Sequence, residues 1–270
     1  MSAPDVKTDY YSGQGRILMG KRDPLTGRIY DVLKIGNCSA LQISLTVDKT
    51  DHTESWSGGR NIDLTTFKSK GGTGKMSCED IDVDTLAAAL WGGAYIVPEG
   101  TVDAEPMQAV RGGVLFTKFQ NISAVEIKLA AAPATPLVEG VDFTYDGAFG
   151  RIDFLDTDAA TVLVATAVDD ATSVAVTVDY TYGATKRLEL FTVAVAPERY
   201  IRFEGLNTIN GDSRLVEVWR GQLDPLNQLD LINTDVASTD ISFTVAQASG
   251  PFEDGKSRFY RETRVEIEAA

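Results

Sequence analysis

The chain has 270 residues, with 39 acidic against 25 basic side chains and a formal net charge of -14. Apolar residues make up 43% and charged residues 24%, which argues against both intrinsic disorder and a membrane protein and allows one large or two ordinary domains. A polyanion of this kind is a poor holder of duplex nucleic acid, which needs a basic surface, and one histidine with two cysteines leaves little material for an active site.

The first nine residues contain no apolar h-region, and no later stretch approaches the roughly 20 apolar residues of a membrane span. The expectation is synthesis in a reducing cytosol, with Cys38 and Cys78 as two free, small, buried thiols. Residues 41–48 read Leu41, Gln42, Ile43, Ser44, Leu45, Thr46, Val47, Asp48. This strict period of two marks a strand with one buried aliphatic face and one polar face.

Residues 47–75 are rich in Gly, Ser, Thr and charge, with Trp56, Ile62, Leu64 and Phe67 as the sizeable apolar groups. They read as a long loop, and a loop of that length is usually functional or disordered. Its isolated apolar side chains suit a partner on another chain; the plainer alternative is a loop folded back on its own domain. Alternation returns at residues 75–79, with Met76 and Cys78 inward. Residues 85–91 predict a short helix, with Leu86, Ala89 and Leu90 on one side, Asp84 as N-cap, Asp82 just before it, and Gly92 and Gly93 as terminators.

From Thr117 onward the pattern changes to alanine, proline and threonine, then to two strand-like runs around Asp146-Gly147-Ala148-Phe149-Gly150. These form a hairpin over residues 141–155 in which the glycines supply positive φ. An Ala/Val/Thr/Asp stretch follows, then alternation at 174–182. Residues 117–184 thus read as a small β module inserted between two parts, 1–116 and 185–270, of a larger β domain. Further alternation marks 241–245 and 259–267; in the latter Phe259, Arg261, Thr263, Val265 and Ile267 share one face, with Arg258, Tyr260, Glu262, Arg264, Glu266 and Glu268 on the other. The fold class is mainly β: two antiparallel sheets forming a sandwich or barrel, one short flanking helix, a long inter-strand loop and the inserted module.

Enzyme motifs fail individually. Ser69-Lys70-Gly71-Gly72-Thr73-Gly74-Lys75-Met76 lacks the first glycine and the hydroxyl of a phosphate-binding loop, and it precedes a strand. Asp80, Asp82 and Asp84 have the spacing that opens a calcium loop, but Thr85 and Trp91 stand where Gly and Glu are needed. His52 is the lone histidine and lies in the loop with Asp51, Ser55 and Ser57, without a rigid frame for a triad. No catalytic residue, cofactor or metal is expected.

Several segments resemble the tail tube (major tail) proteins of long-tailed bacteriophages. They are Tyr11-Ser12-Gly13-Gln14-Gly15-Arg16-Ile17-Leu18 with Gly36-Asn37 and the strand after it, and the run Thr53-Glu54-Ser55-Trp56-Ser57-Gly58. The helix Asp84-Thr85-Leu86-Ala87-Ala88-Ala89-Leu90-Trp91-Gly92 is similar too. So is Tyr200-Ile201-Arg202-Phe203-Glu204-Gly205-Leu206-Asn207-Thr208, continuing through Val216-Glu217-Val218-Trp219-Arg220 and Leu223-Asp224-Pro225 to Leu229-Asp230-Leu231-Ile232. The resemblance covers most of the chain outside the insert, which smaller members would lack.

The resemblance implies a structural virion protein. Six copies form a ring, and rings stack into a hollow tube for the genome and the tape-measure protein, capped by tail terminator and distal tail proteins. Assembly takes place in the host cytoplasm, without membrane association. It also implies that the long loop reaches a neighbouring ring, with Trp56, Ile62, Leu64 and Phe67 as anchors. A conduit should repel phosphate rather than bind it, and the strands at 41–48 and 75–79 fit the lining, with Gln42, Ser44, Thr46, Asp48, Ser77 and Glu79 toward the lumen. The same alternation also suits an ordinary solvated face. The alternatives are another virion β protein (decoration or baseplate), a carbohydrate-binding β-sandwich, and a hydrolase on a β scaffold.

Overall fold

The computed structural model describes residues 10–156 and 173–265. The alanine-rich and threonine-rich stretch at 157–172, together with Glu266, Ile267 and Glu268 of the last expected strand, lies outside the described residues. Among the described residues the chain is mainly β, with antiparallel sheets and one short helix.

It divides into two compact units, the first reaching Ala94 and resuming at Leu188, the second being Tyr95–Arg187. In chain order the first unit supplies β1 (Gly13–Arg22), β2 (Ile29–Lys34), β3 (Cys38–Thr53), β4 (Ile62–Cys78) and α1 (Val83–Ala89). Next come β5 (Gly93–Val97), β6 (Gly100–Ala109), β7 (Val114–Phe116), β8 (Ile122–Leu129), β9 (Ala132–Pro136), β10 (Phe143–Asp146), β11 (Arg151–Phe154), β12 (Val174–Tyr182) and β13 (Thr185–Glu189). The unit boundaries fall within β5 and β13, which pair with each other. The first unit ends with β14 (Glu198–Asn207), β15 (Ser213–Leu223), β16 (Thr239–Val245) and β17 (Tyr260–Val265).

The sequence reading started the insert at Thr117, whereas the second unit starts at Tyr95. The cause is pairing: β6 lies along β12, and β7 along β11, so both strands belong with the module they precede. Within this unit, sheets β10-β11-β7 and β6-β12-β8-β9 share a core of Phe143, Ile152, Ile127, Val176, Val178 and Tyr180. The expected hairpin forms as β10 and β11, with Gly150 at φ +64°; Gly147 is absent from the positive-φ residues.

In the first unit the strands run in one sheet, β2-β1-β14-β15-β16-β4-β3, with β17 also on β15. Its two halves close on a single core, because Ile17 and Met19 of β1 pack in the same cluster as Met76 of β4 and Phe243 of β16. One continuous sheet therefore does the work of a sandwich. The glycine run once compared with a phosphate loop is the inner part of β4. A Cβ on Gly74 would fall within the ring of Phe243, its register partner, so the glycine makes room for the largest side chain of β16.

The helix begins two residues earlier than expected, at Val83 rather than Thr85. Asp82, not Asp84, is the N-cap, its carboxylate accepting from the Thr85 amide at 2.8 Å. It ends because Trp91 takes φ +52°, a costly conformation for a bulky residue, and the indole Nε1 donates to the Leu223 carbonyl at 2.9 Å, which holds the ring in place.

The cysteines differ from the sequence reading as well. Cys38 and Cys78 are direct register partners at the base of β3 and β4 and are disulfide-bonded, not free. The alternation placed each thiol on a strand, but only the register puts one against the other, at a sequence separation of 40.

Candidate assembly surfaces

The segment expected as a loop is a β-ribbon. β3 and β4, of 16 and 17 residues, pair from Cys38–Cys78 at the base to Thr53–Ile62 near the tip. β16 covers β4 only as far as Gly72, which faces Leu45 across the ribbon. Beyond that line two strands continue alone for roughly 25 Å at about 3.3 Å per residue. Every residue of β3 from Leu45 to Thr53 is exposed, as is every residue of β4 from Ile62 to Lys70.

The buried aliphatic face expected for residues 41–48 accordingly ends early: Leu41 and Ile43 pack on the core, whereas Leu45 and Val47 are exposed. The four expected anchors are all solvent-facing, from Trp56 at 85% to Leu64 at 56%. They are not stapled to one another across the ribbon either, since Leu64 faces His52 and Phe67 faces Lys49. Four cations (Lys49, Arg60, Lys68, Lys70) balance four carboxylates (Asp48, Asp51, Glu54, Asp63), leaving the arm neutral in a strongly anionic chain.

The tip is organised by a buried carboxylate. Glu54 is only 5% exposed and accepts from the amides of Trp56 at 3.1 Å and Ser57 at 2.9 Å, and from the Ser57 hydroxyl. The Ser57 hydroxyl and amide, helped by the amides of Asn61 and Trp56, hold its carboxyl below the usual range. His52 lies on β3 against Asp63, with Nδ1 at 2.6 Å from the carboxylate, so the lone histidine belongs to the ribbon's surface.

The six residues assigned to a lumen face separate into five and one. Gln42, Ser44, Thr46 and Asp48 are exposed on alternate positions of β3. Their face continues through Thr73, Lys75 and Ser77 of β4 to Asp240, Ser242 and Thr244 of β16. Ser77 is half-buried and donates to Asp240 at 2.5 Å, and Lys75 pairs with the same carboxylate at 2.7 Å. These two partners hold the Asp240 carboxyl below its usual range, Lys75 contributing most. Glu79 falls past the end of β4 and accepts from the Asn37 side-chain amide at 2.7 Å. The face is hydroxyl and amide in its middle, with its one lysine compensated.

Two features escaped the sequence reading. On β15, Glu217 is 4% exposed and accepts from the Tyr200 hydroxyl at 2.6 Å and from Arg261 at 2.6 and 2.7 Å. Burial first, then Glu217, pushes the Tyr200 hydroxyl pKa up. The connection between β15 and β16 is the second: every residue from Asn227 to Ser238 is exposed, including Leu231 at 84% and Ile232 at 98%.

Residues 10–263 match a family described as "Protein of unknown function UCP028589". The chain belongs to this family. The match spans both units and the whole ribbon, so the insert is covered along with the rest. No curated protein matches the chain. Among the described residues, no helix is long and apolar enough to cross a membrane, and no cluster of three His, Cys, Asp or Glu is placed to hold a metal ion.

Proposed function

We propose that this chain is the tail tube subunit of a long-tailed bacteriophage. It is a structural virion protein without enzymatic activity or cofactor, made in the host cytoplasm and stacked as hexameric rings into a hollow tube. The tube passes the genome and the tape-measure protein and is bounded by tail terminator and distal tail proteins. The observation that carries this reading is the β3–β4 arm, which leaves its sheet with its apolar side chains exposed and its charge balanced. Subunits that each carry -14 repel one another, and a neutral, apolar arm is where like-charged copies approach at least cost. The face carrying Gln42, Ser44, Thr46, Asp48 and Ser77 suits a lumen, because its hydroxyls and amides offer phosphate no cluster of free cations. Glu79, at the end of that surface, adds to the repulsion.

Negative-stain electron microscopy of the concentrated protein tests the reading: six-fold rings or hollow tubes are expected, and a monomer at every salt and temperature contradicts it. A carbohydrate-binding or decoration role has one observation in its favour, Phe116 and Phe149 at 70% and 69% exposure in the second unit. Binding of that unit to a glycan array, without rings or tubes, is the outcome that would favour it.

A further inference from the structure

The sheet of the first unit leaves two strand edges open toward one groove. β1 pairs with β14 along residues 13–20, but with β2 only from Leu18 onward, so its other edge at Gly13, Gln14, Gly15 and Arg16 has no strand partner among the described residues. β3 is the last strand of the sheet, and its outer edge from Ser39 to Ile43 is likewise unpaired among them. Both edges line one groove of about 960 Å³ whose floor includes Ile17, Phe203 and Val216. Phe203 lies over Gly15 and Gly205, where a Cβ would meet its ring, so the glycines flatten that end of the floor. Unpaired backbone amides and carbonyls beside an apolar floor are a template for an added strand.

The same chain carries a segment that fits such a template. Leu229 and Leu231 alternate with Gln228 and Asp230, and a period of two would send both leucines to one face, with Asn233 after them, and Ile232 to the other. Among the described residues, nothing in the first unit covers Leu231 or Ile232. From residue 224 to 238 the segment holds three aspartates and no cation. The groove lining, in turn, contains no carboxylate, and its one cation, Arg214, is paired with Glu262 at 2.9 Å. In a chain with net charge -14, this groove is a place where an acidic segment of another copy meets no carboxylate in the lining.

We infer that the groove between β1 and β3 receives residues 227–236 of a second copy as an added strand, with Leu229 and Leu231 on the Phe203 floor. This rests on the self-assembly proposed above and deepens it: the arm joins copies at one place, and strand donation joins them at another.

The test uses the full chain with Leu229 and Leu231 both changed to Asp, alongside a synthetic peptide of residues 226–236. The double variant should keep its melting temperature, because both leucines are exposed in the monomer, while the concentration needed for assembly rises about tenfold or more, equivalent to about 1.4 kcal/mol. Added to dilute wild-type protein, the peptide should slow amide exchange at residues 13–17 and 39–43, as should assembly itself. Normal assembly by the variant overturns the inference and leaves the tube reading intact. Exchange already slow in the dilute monomer also overturns it, since the groove is then filled by its own chain. If no condition gives assembly, the tube reading fails, and the peptide experiment still decides the groove: unchanged exchange at both edges overturns the inference.

Discussion

The β3–β4 ribbon has two halves with opposite fates. On the inner half, Gly72, Gly74, Met76 and Cys78 are buried at alternate positions; on the outer half, Ile62, Leu64 and Phe67 are exposed. What separates them is not propensity or pattern but the length of a neighbour, since β16 ends opposite Gly72. An alternating strand states which face is apolar and leaves open whether anything covers it. On the inner half the cover is Phe243 and its sheet; on the outer half, in the function proposed here, it is another subunit.

The sharpest way to break this comparison is to remove the outer half. Replacing residues 48–69 by Asn-Gly leaves Val47 and Lys70, a register pair, as the flanks of a two-residue turn. Assembly should be abolished, with the melting temperature of the monomer within a few degrees of the wild type by calorimetry.

Next in size is the same truncation made on the two halves. Phe243→Ala, in the strand that covers the inner half, should cost about 3–5 kcal/mol in denaturant unfolding, whereas Phe67→Ala, on the uncovered half, should change unfolding by less than about 0.5 kcal/mol. In sedimentation the order reverses: Phe67→Ala and Trp56→Ala should weaken self-association by more than about tenfold, and Phe243→Ala should do so only through loss of folded protein. Equal unfolding costs at Phe243 and Phe67 would remove the distinction.

The disulfide sharpens the boundary from below. Because Cys38 and Cys78 close a loop of 40 residues, the loop-entropy account assigns the bond about 4 kcal/mol. The pair Cys38→Ser and Cys78→Ser should therefore lower the unfolding midpoint while leaving the arm able to mediate assembly.

Acid is expected to act more gently. Burial pushes the Glu262 carboxyl up, but hydrogen bonds from Arg214, Arg264 and Tyr260 outweigh it and hold the pKa at about 2, against an ordinary 4.5. Unfolding releases that hold, so the unfolded chain takes up the proton first as pH falls, and stability drops between about pH 4.5 and 2. A urea titration should show this loss in the wild type and a smaller one in Glu262→Gln. Glu54 at the arm tip loses its contribution in the same direction, and Glu54→Gln should loosen the tip in amide exchange without changing global unfolding.

The period-two runs at 41–48, 75–79, 174–182 and 241–245 stated the strands correctly because side-chain alternation is a local property. The helix was legible for the same reason, apart from its cap, where Asp82 and Asp84 are both acceptable in sequence and geometry chose between them. What escaped was non-local. The ribbon looked like a loop because its outer half lacks any buried face, and glycine, serine and charge are what an uncovered strand and a loop have in common. The disulfide needed the register, the insert boundary needed the pairing of β6 and β7, and the groove needed two edges distant in sequence. The four arm residues were legible, since apolar groups isolated among polar ones are conspicuous whether the backbone is loop or strand. The neutrality of the arm and the exposed run at 227–238 were also present in the sequence, and counting charge and apolar groups segment by segment would have found them.

The central claim, that the uncovered half of the ribbon is an assembly surface, is tested most directly by imaging the wild type and the 48–69 replacement side by side at equal, high concentration. Rings or tubes from the wild type and folded monomers from the replacement are the expected pair of results. Tubes of normal width and length from the replacement would contradict the claim.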